Sequence, residues 1–421
     1  MEKAYHYIWK HLLFSRTATL RDGRSVEVIS PGLHNNDAGP DFSRAKILLD
    51  GKEWIGNVEI HLRSSDWHRH GHHLDEAYDN IILHVVAFDD TEIFRSDGSA
   101  IPQLTLPVAP ELLSRIAHLC DNIDDIRCKS VIPRLSPLHI TDWLESLASE
   151  RLHRKAEKIL NLVSQYNGDW QRALFITFAR SLGFGLNGVP FELLAKSLPL
   201  NFVMRHADNY MQIEALLFGQ AGMLDSSCNI FDEYYQSLCR EYFFLARKYG
   251  LKPIKNSLWK YARTRPGNFP HRRIALLASH ICSGESLYSR LIQANGDTNH
   301  LMEIFNREAG SYWKTHSMFG VECEKLSCRL SSGSIRLLLI NVAAPFYMAH
   351  SAYLGDPEKG EIGINLLMSL PAEANSIIRE WESLGIKPTD SLHSQALIHL
   401  RKEYCDPGHC LQCRFGHKFL V

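Results

Sequence analysis

Near Pro137 the spacing of apolar residues along this 421-residue chain lengthens from two to nearly four. Strands offer alternate residues to a core and helices offer every third or fourth, so one uniform architecture is excluded. Before the change, Val26 to Ile29, Ala45 to Leu49 and Trp54 to Leu62 are short apolar or alternating runs. Ile81 to Phe88 is almost continuously apolar and rich in β-branched residues, the pattern of a strand buried on both faces. After the change, Leu144, Leu147, Ala148, Leu152, Ala156, Ile159, Leu160 and Val163 make one stripe of a long helix, with Thr141 or Asp142 as its expected cap. Further helices are expected over Trp170 to Leu182, Phe191 to Ser197, Gln212 to Phe218, Glu233 to Lys248, Ile274 to Cys282, Ser376 to Glu382 and Leu392 to Tyr404. An opening amphipathic helix from Glu2 to about Phe14 carries Tyr5, Ile8, Trp9, Leu12 and Leu13. The expected class is α+β: a mixed sheet with flanking helices over residues 1–125, then a mainly α-helical domain over 126–421.

A chain of this length exceeds one core, and 45% hydrophobic with 22% charged residues is ordinary globular composition, so two domains should fold unaided. A net charge of −1 excludes a generally basic surface; nucleic acid would have to be held by a local patch. The opening residues lack the apolar core of a secretory signal. The longest apolar run, Leu337 to Ala344, contains Asn341 and meets Pro345, which falls short of a membrane span. A cytoplasmic protein with no membrane partner is expected, its ten cysteines serving as buried thiols or metal ligands.

Chemistry concentrates between His34 and His73. Asp50-Gly51 reads as the turn of a hairpin. On its second strand Val58, Ile60 and Leu62 alternate with Glu59, His61 and Arg63, so Glu59 and His61 share a face. Gly39-Pro40-Asp41 is a turn that sets Asp41 at the mouth of the first strand, within reach of Glu59. Two carboxylates there make a hard-oxygen site for Mg²⁺ or Mn²⁺. His34, Asn36 and Asp37 precede Asp41 closely enough to line the same cleft. His70 and His72, in the polar segment around a structural Trp67, are candidate additional ligands, and heavy use of imidazole would argue for a transition metal. The competing reading has Asp41 capping a turn while Glu59 and His61 face solvent on an edge strand.

Pro40-Asp41, a gap of strand length and Glu59-Ile60-His61 together resemble the PD-(D/E)XK nuclease superfamily. The resemblance implies divalent-metal-dependent hydrolysis of nucleic-acid phosphodiester bonds, with Asp41 and Glu59 as metal ligands. It places His61 where the superfamily's lysine orients the attacking water. Histidine is neutral near pH 7, so His61 suits a base or a ligand and not a fixed positive charge. The pieces GPDF, VEIH and DW-x-x-H-x-H, with the C-terminal cysteines, resemble more closely an uncharacterised bacterial family of unknown function over nearly the whole chain, which implies no activity. The alternatives are a nuclease-like fold that binds nucleic acid or protein without cutting, and a metal-dependent hydrolase of a small phosphoester.

Two further groups stand outside this stretch. Cys405, Cys410, Cys413 and His417 have the makings of a tetrahedral Zn²⁺ clip. Alternatively the three cysteines join a distant fourth, such as Cys323 or Cys328, around an iron–sulfur cluster, as the resemblance to some PD-(D/E)XK exonucleases implies. Arg263, Arg265, Arg272 and Arg273 form the densest basic stretch, suited to gripping the phosphates of nucleic acid, DNA ahead of RNA, or else to a rigid elbow between helices.

Overall fold

Asp50 and Gly51 both adopt positive φ, 47° and 76°, which is the backbone of a two-residue turn whose twist matches the strands it joins. It links β4 (Phe42–Leu49) to β5 (Lys52–Arg63), and the hairpin sits inside a seven-stranded sheet. The other strands are β1 (Thr17–Thr19), β2 (Ser25–Ser30), β3 (Leu33–His34), β6 (Ile81–Phe88) and β7 (Gln103–Thr105). The order is β1-β2-β4-β5-β6-β7, with β3 also paired to β4. Pairings are antiparallel up to β5 and parallel from β5 to β6 to β7, so the sheet is mixed and the fold α+β. This is a computed structural model; it describes residues 2–35, 39–120, 125–225, 230–262, 264–324 and 327–420.

A parallel neighbour cannot be reached by a tight turn, so the chain must cross over the sheet between Arg63 and Ile81. The crossover is a short helix, Asp66–Arg69, and two 3₁₀ turns, His72–Leu74 and Glu76–Tyr78. Trp67 and Tyr78 anchor it by packing with Ile81, Ile93 and Ile101. Because this segment covers the sheet, the polar face of β5 is as buried as the apolar one: Glu59 is 5% exposed and His61 1%. Those residues do not face solvent on an edge strand.

β4 carries a bulge, marked by a register shift between Phe42 and Ala45 and by Arg44 at φ 55°. Gly32 lies against it so closely that a Cβ there would sit 2.3 Å from the Ser43 carbonyl oxygen. The first helix is Glu2–Lys10, shorter than expected: Leu12 turns to φ 51° and Phe14 stacks back on Trp9. A further helix spans Pro110–Cys120; Pro is at ease in a first helical turn, where its missing N–H costs nothing.

The chain divides into two compact units, Met1–Leu135 with Arg401–Val421, and Ser136–Leu400. The last segment therefore belongs to the sheet-bearing unit and not, as expected from a division at 125/126, to the helical one. The helical unit is built from capped helices. Ser136, Asp169, Asn209 and Asp232 each accept a hydrogen bond from a backbone N–H of the first turn they precede. Ser136 thereby starts the long helix Pro137–Gln165 a turn before Thr141 and Asp142. The apolar run at Leu337 does not stop at Asn341 or Pro345. It continues as one helix, Ser332–Leu354, through a widened turn at Leu339–Ala343 that absorbs the missing proline donor, while Asn341 Nδ2 donates to the Leu337 carbonyl. By length and composition this helix matches a membrane span, and most of it is buried inside the protein.

A candidate metal centre

His61 projects from β5 into the space under the crossover, and the crossover returns His70 and His72 to it. The ligand atoms of the three imidazoles all lie within 4.8 Å of one another. His61 Nε2 is 3.1 Å from His70 Nδ1, and the His61 and His72 rings stack at 5.3 Å. Glu59 Oε1 lies 3.3 Å from His72 Nε2 and 3.6 Å from His61 Nε2. Tyr78 stacks on the other side of His72 at 3.9 Å, and Trp67 meets it edge-on. Burial grades across the group: His61 is at the floor, His72 half-buried and His70 exposed at the mouth. Anything held by the three would have protein below it and water above.

Asp41 reaches Glu59 as the turn before β4 promised, and the two carboxylates are tied across the strands by backbone N–H groups. The Asp41 N–H donates to Glu59 Oε2 at 3.0 Å, and Asp41 Oδ2 accepts from the Ile60 N–H at 2.9 Å. His6 of the first helix adds an ion pair, with Nε2 3.3 Å from Asp41 Oδ2. Burial alone would raise the Asp41 pKa, yet His6 and the Ile60 N–H hold it below the usual carboxylate range. Burial likewise works against charge on His6, and Asp41 outweighs it, so the His6 pKa is raised. Glu59 goes the other way, lifted by burial and by the neighbouring Asp41 charge against the pull of His72. Burial, with His72 and His70 alongside, depresses His61 to about 3, so its ring is neutral and has a lone pair to offer.

His84 and His6 were not among the residues singled out by sequence. His84 is fully buried on β6, opposite Glu59 in the parallel register, and its Nε2 is 2.8 Å from His61 Nδ1. Burial holds its pKa well below 6.5. The signal was available: a lone histidine inside the apolar run Ile81 to Phe88 must find a partner to be tolerated there.

The other expected residues are placed as follows. His34 sits beside His6 and Phe42; Asn36 and Asp37 lie outside the described residues. His68 and His73 pair edge-on with each other. Among the arginines, Arg263 lies outside the described residues and Arg265 is exposed. Arg272 and Arg273 are 3% and 6% exposed. Arg272 donates to the carbonyls of Trp313, His316 and Ser327, while Arg273 donates to Asn268 and packs over Phe184. The Arg272 guanidinium is spent on backbone carbonyls and that of Arg273 on the Asn268 side chain, contacts that brace the elbow. Cys405, Cys410 and Cys413 gather in the C-terminal segment of the sheet-bearing unit, and His417 Nδ1 is 2.6 Å from the Tyr7 hydroxyl. Cys323 and Cys328 belong to the helical unit, where Cys328 Sγ lies 3.9 Å from Arg272 Nη2.

No curated protein and no solved structure matches this chain. The pieces around the centre, GPDF, VEIH and DW-x-x-H-x-H, are spread along a sequence that a single family covers from residue 2 to residue 376. The chain belongs to that family, described as protein of unknown function DUF2851.

Proposed function

We propose that this protein is a metal-dependent hydrolase of phosphodiester bonds in nucleic acid, its metal held by His61, His70 and His72 with Glu59 beside it. The convergence of three imidazoles within 4.8 Å, next to a buried carboxylate, carries the reading. Imidazole suits Mn²⁺, Zn²⁺ or Fe²⁺ and not Mg²⁺, so of the two hard-oxygen candidates Mn²⁺ is favoured. Three protein ligands and an exposed mouth at His70 suit a catalytic centre better than a closed structural one.

A bound ion supplies Lewis acidity toward the phosphoryl oxygen and eases deprotonation of the attacking water. Glu59, whose pKa burial has raised, accepts that proton. Asp41 has its carboxylate committed to Ile60 and His6, so it positions Glu59 through its N–H and does not ligate. His61 becomes a ligand in place of the lysine role. The nucleic-acid substrate rests on the resemblance of Pro40-Asp41 and Glu59-Ile60-His61 to the PD-(D/E)XK superfamily. The burial of Arg272 and Arg273 favours a second reading, in which the same centre cleaves a small phosphoester.

The test is metal content together with cleavage of labelled single- and double-stranded DNA and RNA in Mn²⁺, Zn²⁺ or Mg²⁺, alongside a panel of nucleotides and sugar phosphates. His72→Ala should lose the bound metal. Glu59→Gln should keep it and lose about 100-fold or more in rate. Cleavage confined to the small esters selects the second reading. Metal retained by His72→Ala with no hydrolysis of any substrate by the wild type overturns both and leaves a binding module.

A further inference from the structure

The sequence brings only three cysteines together at the C-terminus; the fold supplies a fourth from the far side of the helical insertion. The segment from Arg401 onward returns to the sheet-bearing unit and docks against its helix Pro110–Cys120 and against Arg127 beyond it. Arg115 Nη1 donates to the Leu420 carbonyl at 3.1 Å, and His118 stacks on Phe419. At the centre of this contact Arg127 Nη1 donates to the Cys405 carbonyl at 2.7 Å and lies 3.8 Å from Cys410 Sγ. Its own carbonyl is held by His118 Nε2 at 3.2 Å. The next residue is Cys128, 5% exposed, and Cys410 and Cys413 are 6% and 5% exposed.

The cysteine loop is tightly wound. Cys410–Gln412 is a 3₁₀ turn, the Cys413 N–H donates to the Cys410 carbonyl at 3.2 Å, and a Cβ on Gly416 would strike that carbonyl at 2.1 Å. Burial pushes the Cys128 thiol up to about 12, and Cys413 and Cys410 add to the rise. Cys405 is raised in the same way, by burial and then by Cys413, Cys128 and Cys410. The geometry brings the four into one neighbourhood: Arg127, the residue before Cys128, touches both the Cys405 carbonyl and the Cys410 thiol, and one turn carries the chain from Cys410 to Cys413. Buried thiols gain little from one another, since S–H is a weak donor and sulfur a weak acceptor. Four of them around an arginine are suited instead to thiolates neutralised by a metal, with the guanidinium offsetting the excess negative charge. His417 is already paired with Tyr7.

We propose that Cys128, Cys405, Cys410 and Cys413 form a four-thiolate site for a thiophilic metal centre, a single Zn²⁺ or an iron–sulfur cluster, which fastens the C-terminal return to the sheet-bearing unit. The experiment uses the full chain purified without oxygen, its zinc, iron and sulfide measured, and its cysteines mapped by alkylation and mass spectrometry before and after chelation. Zinc without visible absorption identifies the first occupant; iron with sulfide and a broad visible band identifies the second. In either case alkylation of Cys128 should rise on metal removal together with that of Cys405, Cys410 and Cys413. Cys128→Ser should lose the metal, while His417→Ala and Cys328→Ser keep it. The mapping needs no variant, so a Cys128→Ser chain that fails to fold leaves the test intact. Cys128 alkylation indifferent to metal removal overturns the proposal. So does a wild-type chain that takes up neither zinc nor iron with sulfide on reconstitution.

Discussion

A single hydrogen bond decides which nitrogen of His61 is available. When His61 Nδ1–H donates to His84 Nε2, at 2.8 Å, the lone pair on Nε2 faces His70 and Glu59, which is the state a metal ligand needs. Beyond this bond the His84 ring packs edge-on against Trp67, and its Nδ1 is buried without a hydrogen-bond partner. It is thus a positioning residue for the proposed centre. His84→Leu should weaken metal binding by about 10–100-fold in a chelator competition, and His84→Gln, which restores an acceptor, should recover most of it. A packing role alone would move the melting temperature of both variants and leave the affinity untouched.

Elements show where a local pattern suffices and where it does not. The hairpin was legible because Asp50-Gly51 and the alternation around it are local, and β5 was expected from Trp54 and is found from Lys52. The bulge at Arg44 has no such signature. It depends on Gly32, whose φ of 84° and contact with Ser43 and Ala45 only the folded sheet reveals. Gly32→Ala should cost about 2 kcal/mol or more, from backbone strain plus the collision, read as a lower denaturant midpoint. Gly23→Ala is the control: its φ of 88° is equally left-handed but open space surrounds it, so about 1 kcal/mol is expected. Parallel pairing of β5 with β6 was equally invisible, and with it the crossover that buries Glu59 and His61. Alternation of polar with apolar residues normally means a wet face; here it meant a second, polar interior. In the helical unit the stripes were legible and the starts less so: the long helix opens at Pro137 behind a Ser136 cap, where Thr141 or Asp142 was expected.

At the scale of the whole molecule, one carboxyl makes stability depend on pH. Glu214 is fully buried in the helical unit, where it accepts hydrogen bonds from Tyr234 and from Trp313 Nε1. Burial lifts its pKa to about 7, against those bonds. In the unfolded chain it ionises near its ordinary value, so its contribution is fully present at low pH. That contribution is lost as pH rises from the unfolded pKa through about 7. The loss should be on the order of 3 kcal/mol, seen as a fall in unfolding free energy between about pH 5 and about pH 8 that Glu214→Gln abolishes. The division of the chain was the least legible property of all. A change of hydrophobic period marks where helices begin, but nothing local in residues 401–421 says that they rejoin a unit begun at the other end.

That return sets an order of events. Translation releases the strands and the histidines first, then the whole of Ser136–Leu400, and only then the segment that completes the unit to which the histidines belong. A nascent chain arrested anywhere in the helical stretch carries every residue of the proposed centre inside an unfinished unit. The unit that carries the histidines is thereby incomplete until synthesis has passed Arg401, and a chain ended at Leu400 should be cut by protease faster than the full one.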